Sequence, residues 1–294
     1  MRFRLHGIAM ALIDTPKITA PGYAARLQPR LRAWLSGEHA AAQRMAGMAF
    51  VIRVSGAVVI FLSQILLARW MGGIEFGIYV YAWTWLQMIA EVVHLGLPLS
   101  AQRIIPEYTE RGQKDWLRGF LIGSRWTVFA TATLVAMLGA AAIYALTPAL
   151  EHGTIMPLYL ACIALPLYPV SNMLDGLARS YDAVKTALLP PFVLRPLMLI
   201  VVMGGVHLAG IQPDATTAMA AFALATWTTT LVQLALFERV VARRIEAGPR
   251  RYDVAGWVKT ASPIFAVWSF YMLLTYTDVL VLRQFRPPDP RRRG

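Results

Sequence analysis

Several ionisable residues lie inside long apolar stretches of this 294-residue sequence, where an unpaired charge is costly. Residues in such positions are usually paired or functional, and those of interest are Arg53, Glu91, His94, Arg195 and Asp278. A guanidinium can hold phosphate oxygens through two parallel hydrogen bonds, whereas a carboxylate beside an imidazole can exchange protons near neutral pH. These residue types favour ion recognition or proton coupling over covalent chemistry.

Each of these residues also has a purely structural interpretation. Arg53 lies about two turns from the end of its apolar stretch, so its long side chain could reach the membrane interface. Glu91 could pair with His94, which shares its helical face, or with an arginine of another helix. Asp278 is close enough to the end of its stretch to be hydrated. Arg195 lies about 13 Å along its helix from the nearer interface, and this depth favours a position that faces a cavity.

The elements that carry these residues are about seven apolar segments. Each has about 18–23 residues, which is long enough to cross a hydrocarbon core ~30 Å thick as a helix. The chain is 57% hydrophobic and only 15% charged, unlike a soluble protein, whose helices return to charged residues every turn or two. The sequence therefore predicts an all-α integral membrane protein. Its segments are 47–68, 77–98, 126–146, 156–173, 188–208, 217–237 and 260–282.

Lysine and arginine are concentrated before segment 1 and in the loops that follow segments 2, 4 and 6. The loops 147–155 and 209–216 contain neither residue. Because basic loops stay on the cytoplasmic side, this alternation predicts a cytoplasmic N-terminus. It also accounts for most of the net charge of +12. We therefore expect anionic membrane lipids, and no nucleic acid, as partners of the basic loops.

Prolines predict bends in two segments. Pro166 and Pro169 in segment 4, and Pro190, Pro191 and Pro196 in segment 5, prevent straight regular helices. Such bends would act as hinges in a transporter, although packing kinks are equally compatible with the sequence.

Aromatic residues crowd the outer end of segment 2. A belt of aromatic side chains is expected at a membrane interface, and a platform that stacks against a sugar is the alternative. The residues are Tyr79, Tyr81, Trp83 and Trp85.

The sequence contains no recognisable signal for enzymatic, metal or cofactor chemistry. Cys162 is the single cysteine and lies within segment 4, where it is expected to pack as a small hydrophobe. The five histidines are scattered and have no zinc-ligand spacing. Neither a Walker-type phosphate loop nor a G-x-S-x-G nucleophile elbow is present. We therefore expect no enzymatic activity, no bound metal and no cofactor.

Three stretches carry motifs of a known kind. The stretch 65–79 contains an Ala-Arg pair, a Gly pair and a Phe-Gly-x-Tyr sequence, in Ala68-Arg69, Gly72-Gly73 and Phe76-Gly77-Ile78-Tyr79. The stretch 95–108 begins Leu95-Gly96-Leu97-Pro98, and segment 7 contains Ser262-Pro263 and Tyr276-Thr277-Asp278. These stretches resemble the turn from helix 1 into helix 2, the exit from helix 2, and the first helix of the second lobe in polysaccharide flippases. That family belongs to the multidrug/oligosaccharidyl-lipid/polysaccharide exporter superfamily.

The resemblance covers about residues 45–289, with one departure at His94, which holds a place that is often acidic in the family. It implies a MATE-like fold of two six-helix lobes around a central cavity, in a bacterial-type inner membrane. The implied divisions are a basic cytoplasmic leader, a six-helix N-lobe, a cytoplasmic inter-lobe loop, the first helix of a second lobe and an atypical tail. Their ranges are 1–45, 46–238, 239–256, 257–286 and 287–294.

The resemblance also implies a substrate, a polyprenyl-pyrophosphate-linked glycan used in cell-surface polysaccharide or lipopolysaccharide synthesis. Arg53 and Arg195 would hold the pyrophosphate, because guanidinium pairs bidentately with phosphate oxygens. Glu91, His94 and Asp278 would couple to ions or protons. The lobes would then rock to expose the headgroup on the other side.

The end of the sequence departs from this pattern. Seven crossings would place Arg291, Arg292 and Arg293 on the outer side, which is unfavourable for arginine. Aligning 69–75 with 283–289 superposes segment 7 on segment 1, but the second copy then stops. The pattern predicts a fragment with one lobe and the first helix of the next, for which a second chain or a homodimer would supply the missing lobe.

Other classes stay open on the sequence. A MATE-type multidrug cation exporter would share the fold, but it favours acidic residues in its early helices and segment 1 has none. A membrane-bound glycan polymerase or ligase would normally add a large loop with clustered catalytic residues, whereas the outer loops here are short. A scaffold or a non-functional remnant is a further alternative.

Overall fold

The computed structural model of the protein describes the backbone of residues 38–284 and the side chains of 43–268, Phe270 and Leu274. Within that range the chain is helical and contains no β-strand. The described residues from Met48 onward group into one compact unit, and the packing described below lies within it. The prediction of an all-α protein is confirmed, while the tail 287–294 and most of the leader 1–45 lie outside the described residues.

Ten helices follow one another in the described range, and we number them in chain order. They are α1 (Glu38–Met71), α2 (Gly73–Val93), α3 (Leu97–Glu110), α4 (Lys114–Leu146), α5 (His152–Ala164), α6 (Tyr168–Ser180), α7 (Val184–Leu189), α8 (Arg195–Leu208), α9 (Ala215–Ala242) and α10 (Val254–Gln284). A short 3₁₀ turn, Thr147–Ala149, follows α4, and a π-helical turn, Pro190–Leu194, joins α7 to α8.

Five stretches of the described chain are long and apolar enough to cross a membrane. Large apolar side chains on them point outward, among them Phe61, 66% exposed, and Val201, 71% exposed. Lipid tails are as apolar as these side chains, so such exposure carries no penalty in a bilayer. The prediction of a membrane protein is confirmed, whereas seven spans and their orientation stay predictions. The stretches are Gln43–Met71, Lys114–Ala149, His152–Ser180, Val184–Leu208 and Ala215–Ala242.

The structure corrects the predicted segment 77–98. Helix α2 ends at Val93 and α3 begins at Leu97, so the segment contains a break rather than one continuous helix. Leu95 and Gly96 both have positive φ, 53° and 71°, and this left-handed backbone ends the helix. Helix α2 contains Glu75, Gln87 and Glu91 and is not among the five stretches that are long and apolar enough to cross a membrane.

A second break, at 165–167, separates α5 from α6 and confirms the predicted bend in segment 4. Pro166 lies in this break, and Pro169 occupies the first turn of α6. Pro98 has the same position in α3. Proline is tolerated in the first turn of a helix because its missing N–H would have no intrahelical partner there. The break between α2 and α3 and the break between α5 and α6 are therefore followed by the same proline-containing first turn.

The turns that end α3 and α6 are also alike. Gly112 and Asp182 both have positive φ, 67° and 54°. The next residues, Gln113 and Ala183, have nearly the same dihedrals, with φ of −83° and −85° and ψ of 62° and 58°. The path from α2 to α4 is thus repeated from α5 to α7. Helices α3 and α6 pack directly against each other.

Helix α4 begins at Lys114, well before the predicted start of segment 3 at position 126. Its early charged residues are satisfied within the protein. Arg118 donates to the carbonyl of Glu246 at 2.8 Å and to the carboxylate of Asp115 at 2.9 Å. Arg125 is buried and donates to Glu238 on α9. The loop after α9 therefore lies across the first turns of α4.

Candidate functional site

Arg195 begins α8 directly after the π-helical turn Pro190–Leu194. Its backbone N–H donates to the carbonyl of Pro190, five residues earlier, as in a π-helix. Prolines 190, 191 and 196 have no amide N–H, so the regular hydrogen-bond ladder cannot be completed here. The predicted irregularity in segment 5 is confirmed, and it sets the direction in which α8 presents Arg195.

The Arg195 side chain is buried, with 7% exposed. One terminal nitrogen donates to the hydroxyl of Ser171 at 2.9 Å, and the guanidinium carbon lies 4.8 Å from the centroid of the Tyr168 ring. The Nε atom is buried and has no hydrogen-bond partner among the described residues. No carboxylate of the described range forms an ion pair with this guanidinium. Arg195 is thus a buried cation whose Nε–H group lacks an acceptor among the described residues.

A network of polar side chains extends from Arg195 to neighbouring helices. Ser171 on α6 donates to the amide oxygen of Gln233 on α9 at 2.7 Å. Gln233 in turn donates to the carbonyl of Ala187 at 3.3 Å. Gln87 on α2 donates to the hydroxyl of Tyr168 at 3.1 Å. Networks of this kind hold buried polar groups in one arrangement when the members satisfy each other.

Arg195 lines a cavity of about 220 Å³ formed mainly by α1, α2, α6 and α8. The cavity wall combines polar and aromatic side chains. Asp175 is one of them, and it is neutralised by hydrogen bonds from Arg179. The polar and aromatic residues of the wall are Ser63, Gln64, Tyr79, Trp83, Gln87, Tyr168, Asn172, Asp175, Phe192, Arg195 and Phe222. A cavity with a free guanidinium N–H and several neutral polar groups suits an anion that carries hydroxyl groups.

Arg53 does not line this cavity. Its side chain is exposed on α1, within electrostatic range of Arg179. The structure therefore does not bring the two predicted pyrophosphate ligands, Arg53 and Arg195, into one pocket.

Glu91 and His94 form a direct pair, one of the arrangements that the sequence allows. The Nδ1 atom of His94 accepts from the backbone N–H of Gly96 at 3.2 Å, so in a neutral ring Nε2 carries the proton. Nε2 then donates to Glu91 at 3.0 Å. The same carboxylate oxygen accepts from Nε1 of Trp268 on α10 at 2.8 Å. Glu91 thus links the break after α2 to α10.

Asp278 belongs to α10, but its side chain lies outside the described residues. Its predicted role in ion coupling stays a prediction.

The four tyrosine and tryptophan residues of α2 divide into two pairs. Tyr79 and Trp83 line the Arg195 cavity, whereas Tyr81 and Trp85 line a separate apolar groove. Tyr79, Trp83 and Gln87 recur every four residues, so one stripe of α2 faces the cavity. This spacing is visible in the sequence and indicates that Gln87 faces the same side as Tyr79 and Trp83. Gln87 is not among the predicted site residues, which are all ionisable.

In comparisons with known proteins, no family model, no curated protein and no solved structure matches the chain. In the described range, no cluster of three or more His, Cys, Asp or Glu side chains is placed to hold a metal ion.

Proposed function

We propose that this chain is part of a flippase that moves a polyprenyl-pyrophosphate-linked glycan across a membrane. In this proposal the N-lobe has six membrane spans, and α10 is the first helix of a second lobe. The six spans are α1, α2, α4, α5 with α6, α7 with α8, and α9. Helices α2 and α10 also cross the membrane, which gives seven spans with a cytoplasmic N-terminus. The basic loops after α3, α6 and α9 would then share the cytoplasmic side.

The observation that carries the proposal is the buried Arg195 with its unpartnered Nε in a cavity between helices. A buried cation that lacks a carboxylate is costly, and a pyrophosphate would supply the missing negative charge and acceptors. The family motifs noted above favour a glycan carrier as the source of that pyrophosphate. Tyr79 and Trp83 on the cavity wall would contact the first sugar.

Glu91 and His94 have a different role in this proposal. They lie at the break that ends α2 and are linked through Trp268 to α10. Protonation of either side chain would change the Glu91–His94 hydrogen bond and so alter how α10 is held. The pair is therefore placed to couple proton binding to movement between the lobes.

Binding of a polyprenyl pyrophosphate to the purified chain in detergent tests the proposal. We expect the wild-type protein to bind it and Arg195→Gln to bind about tenfold or more weakly, because a charge-assisted hydrogen bond is lost. Arg195→Lys keeps the charge but not the bidentate geometry, so it should be intermediate. Arg53→Gln removes an arginine outside the cavity and serves as the control.

A second measurement, thermal unfolding, separates a loss of binding from a loss of folding. Each variant is compared with wild type in thermal unfolding, and Asn172→Ala offers a milder change in the cavity wall. Undiminished binding by Arg195→Gln in a folded protein would show that the site is placed wrongly. Equal loss in Arg195→Gln and Arg53→Gln would point to charge in general rather than to this cavity.

A cation exporter of the same superfamily is the second candidate, because the cavity wall contains the carboxylate of Asp175. That carboxylate is paired with Arg179, which lowers its value as a cation site. The two candidates differ in the same assay. Tight binding of a lipophilic cation that is lost in Asp175→Asn, without binding of the pyrophosphate, would favour the exporter.

A further inference from the structure

A second polar cavity, of about 370 Å³, lies where α7 begins and α9 ends. Three arginines, Arg239, Arg243 and Arg244, line it together with Thr186 of α7. We call this cavity the arginine pocket. It shares no lining residue with the Arg195 cavity.

The positive charge of the arginine pocket is not neutralised by ion pairs among the described residues. Within the described range, none of its three arginines has a carboxylate within 4.0 Å. The nearest acids in sequence are engaged elsewhere, because Glu238 pairs with Arg125 and Glu246 lies 3.9 Å from Lys114. Like charges gathered around one cavity repel each other, and a bound anion would relieve that repulsion.

Further donors lie beside these arginines. The guanidinium of Arg244 is 5.7 Å from the centroid of the Tyr181 ring. The Tyr181 hydroxyl is buried and has no hydrogen-bond partner among the described residues. Burial raises the pKa of Tyr181 to about 12, an effect that the charge of Arg244 opposes, so the phenol keeps its O–H proton near neutral pH. Thr186 contributes a hydroxyl to the pocket wall itself.

The depth of the pocket indicates what kind of anion reaches it. Thr186 lies in the first turn of the membrane-crossing stretch Val184–Leu208, and Arg239 lies in the last turn of Ala215–Ala242. In a bilayer that these two stretches cross, the pocket would therefore lie at the level of the lipid headgroups. Arginine clusters directly beside a membrane span bind anionic headgroups through their phosphate oxygens.

We propose that the arginine pocket binds the phosphate of an anionic phospholipid and so holds the start of α7 to the end of α9. The site depends on the chain spanning a membrane and not on the flippase proposal. Failure of the glycan carrier to bind at Arg195 would leave the arginine pocket unaffected. Failure of the phospholipid to bind in the arginine pocket would leave the Arg195 cavity unaffected.

Native mass spectrometry of the purified chain in a neutral detergent tests the site, with phosphatidylglycerol, phosphatidylcholine and inorganic pyrophosphate as separate probes. We expect wild type to retain phosphatidylglycerol in preference to phosphatidylcholine. The double substitution Arg243→Gln/Arg244→Gln should weaken retention about tenfold or more, through loss of charge-assisted hydrogen bonds. The matched control is Arg103→Gln/Arg250→Gln, which removes two exposed arginines outside the pocket.

Two outcomes would overturn the proposal. Equal loss in both double variants would show that net charge alone retains the lipid. Binding of inorganic pyrophosphate without preference for phosphatidylglycerol would show that the pocket takes a free phosphate instead.

Tyr181→Phe keeps the test sharp if the arginine variants fold poorly. This change removes a hydroxyl that has no hydrogen-bond partner among the described residues, so the unfolding temperature of the lipid-free protein should not fall. Lipid retention should fall several-fold, because the hydroxyl donates to the phosphate. Unchanged retention by a folded Arg243→Gln/Arg244→Gln protein would reject the site, and so would unchanged retention by a folded Tyr181→Phe protein where the arginine variant does not fold.

Discussion

Gly176 in α6 lies against the backbone of Pro98 in α3, so closely that a Cβ atom on the glycine would overlap the Pro98 carbonyl oxygen. This contact joins the two helices that follow the breaks after α2 and α5. The cavity residues Tyr168, Asn172 and Asp175 are on the same α6 helix. The Gly176–Pro98 approach therefore helps to fix the position from which α6 presents its polar face.

The first prediction is that Gly176→Ala destabilises the protein. The added methyl group must push α3 and α6 apart, and such overpacking costs about 1–3 kcal/mol. Gly205→Ala in α8 is the matched control, because no atom lies within 4 Å of the position of its Cβ. That control should be neutral or stabilising by up to ~1 kcal/mol, since alanine favours helix. Thermal unfolding in detergent measures both, and equal transitions for the two variants would contradict the packing argument.

The sequence predicts the helices well, because apolar runs long enough to cross a bilayer have few alternatives. It also predicts the irregular regions around Pro166 and Pro190, since proline cannot complete a helix. The break after Val93 is less visible. It depends on Leu95, which adopts a positive φ that no propensity rule assigns to leucine.

The candidate site is less predictable than the helices. Arg195 can be singled out from its depth in an apolar segment, but its partners Ser171 and Gln233 come from other helices. Such contacts depend on how α6, α8 and α9 pack, which single-sequence periodicity does not specify. The start of α4 at Lys114 is hard to predict from the sequence for a related reason. Arg118 is satisfied by a carbonyl more than a hundred residues away, in Glu246.

The second prediction concerns the coupling between Ser171 and Gln233. Ser171→Ala removes an acceptor from Arg195 and leaves the Gln233 amide oxygen without its donor, so we expect a loss of about 1–3 kcal/mol in the free energy of unfolding. Gln233→Ala should show a similar loss. In a double-mutant cycle the two effects should fall short of additivity by about 0.5–3 kcal/mol. Strict additivity in denaturant unfolding would show that the hydrogen bond does not contribute.

The third prediction concerns the acceptor that Glu91 provides. Glu91→Leu removes the carboxylate that accepts from His94 and from Trp268, and the buried Nε2–H of His94 loses its acceptor at a cost of about 1–3 kcal/mol. Glu91→Gln keeps one oxygen acceptor and should be intermediate. Glu107→Gln is the control, because its pair with Arg111 is exposed and worth at most ~1 kcal/mol. Thermal unfolding should rank the variants in this order, and a Leu variant as stable as the Gln variant would contradict the assignment.

The fourth prediction concerns the loop between α9 and α10. Arg118 on α4 donates to the carbonyls of Glu246 and Pro249, and its guanidinium is mostly buried. Arg118→Ala should release this loop and expose the peptide bonds after Arg250 and Arg251 to trypsin, since opening of the backbone limits cleavage.

Limited proteolysis followed by mass spectrometry would detect this release as faster cleavage at the loop, with cleavage elsewhere unchanged. Arg111→Ala is the matched control, because it removes another arginine near the same end of α4, and the ion pair of Arg111 with Glu107 is exposed. A loop cleaved at the same rate in both variants would show that Arg118 does not hold it. Faster cleavage of the loop in Arg118→Ala alone would establish that Arg118 anchors the loop leading into α10 to α4. In the proposed transporter, movement would reach α10 through this anchored loop.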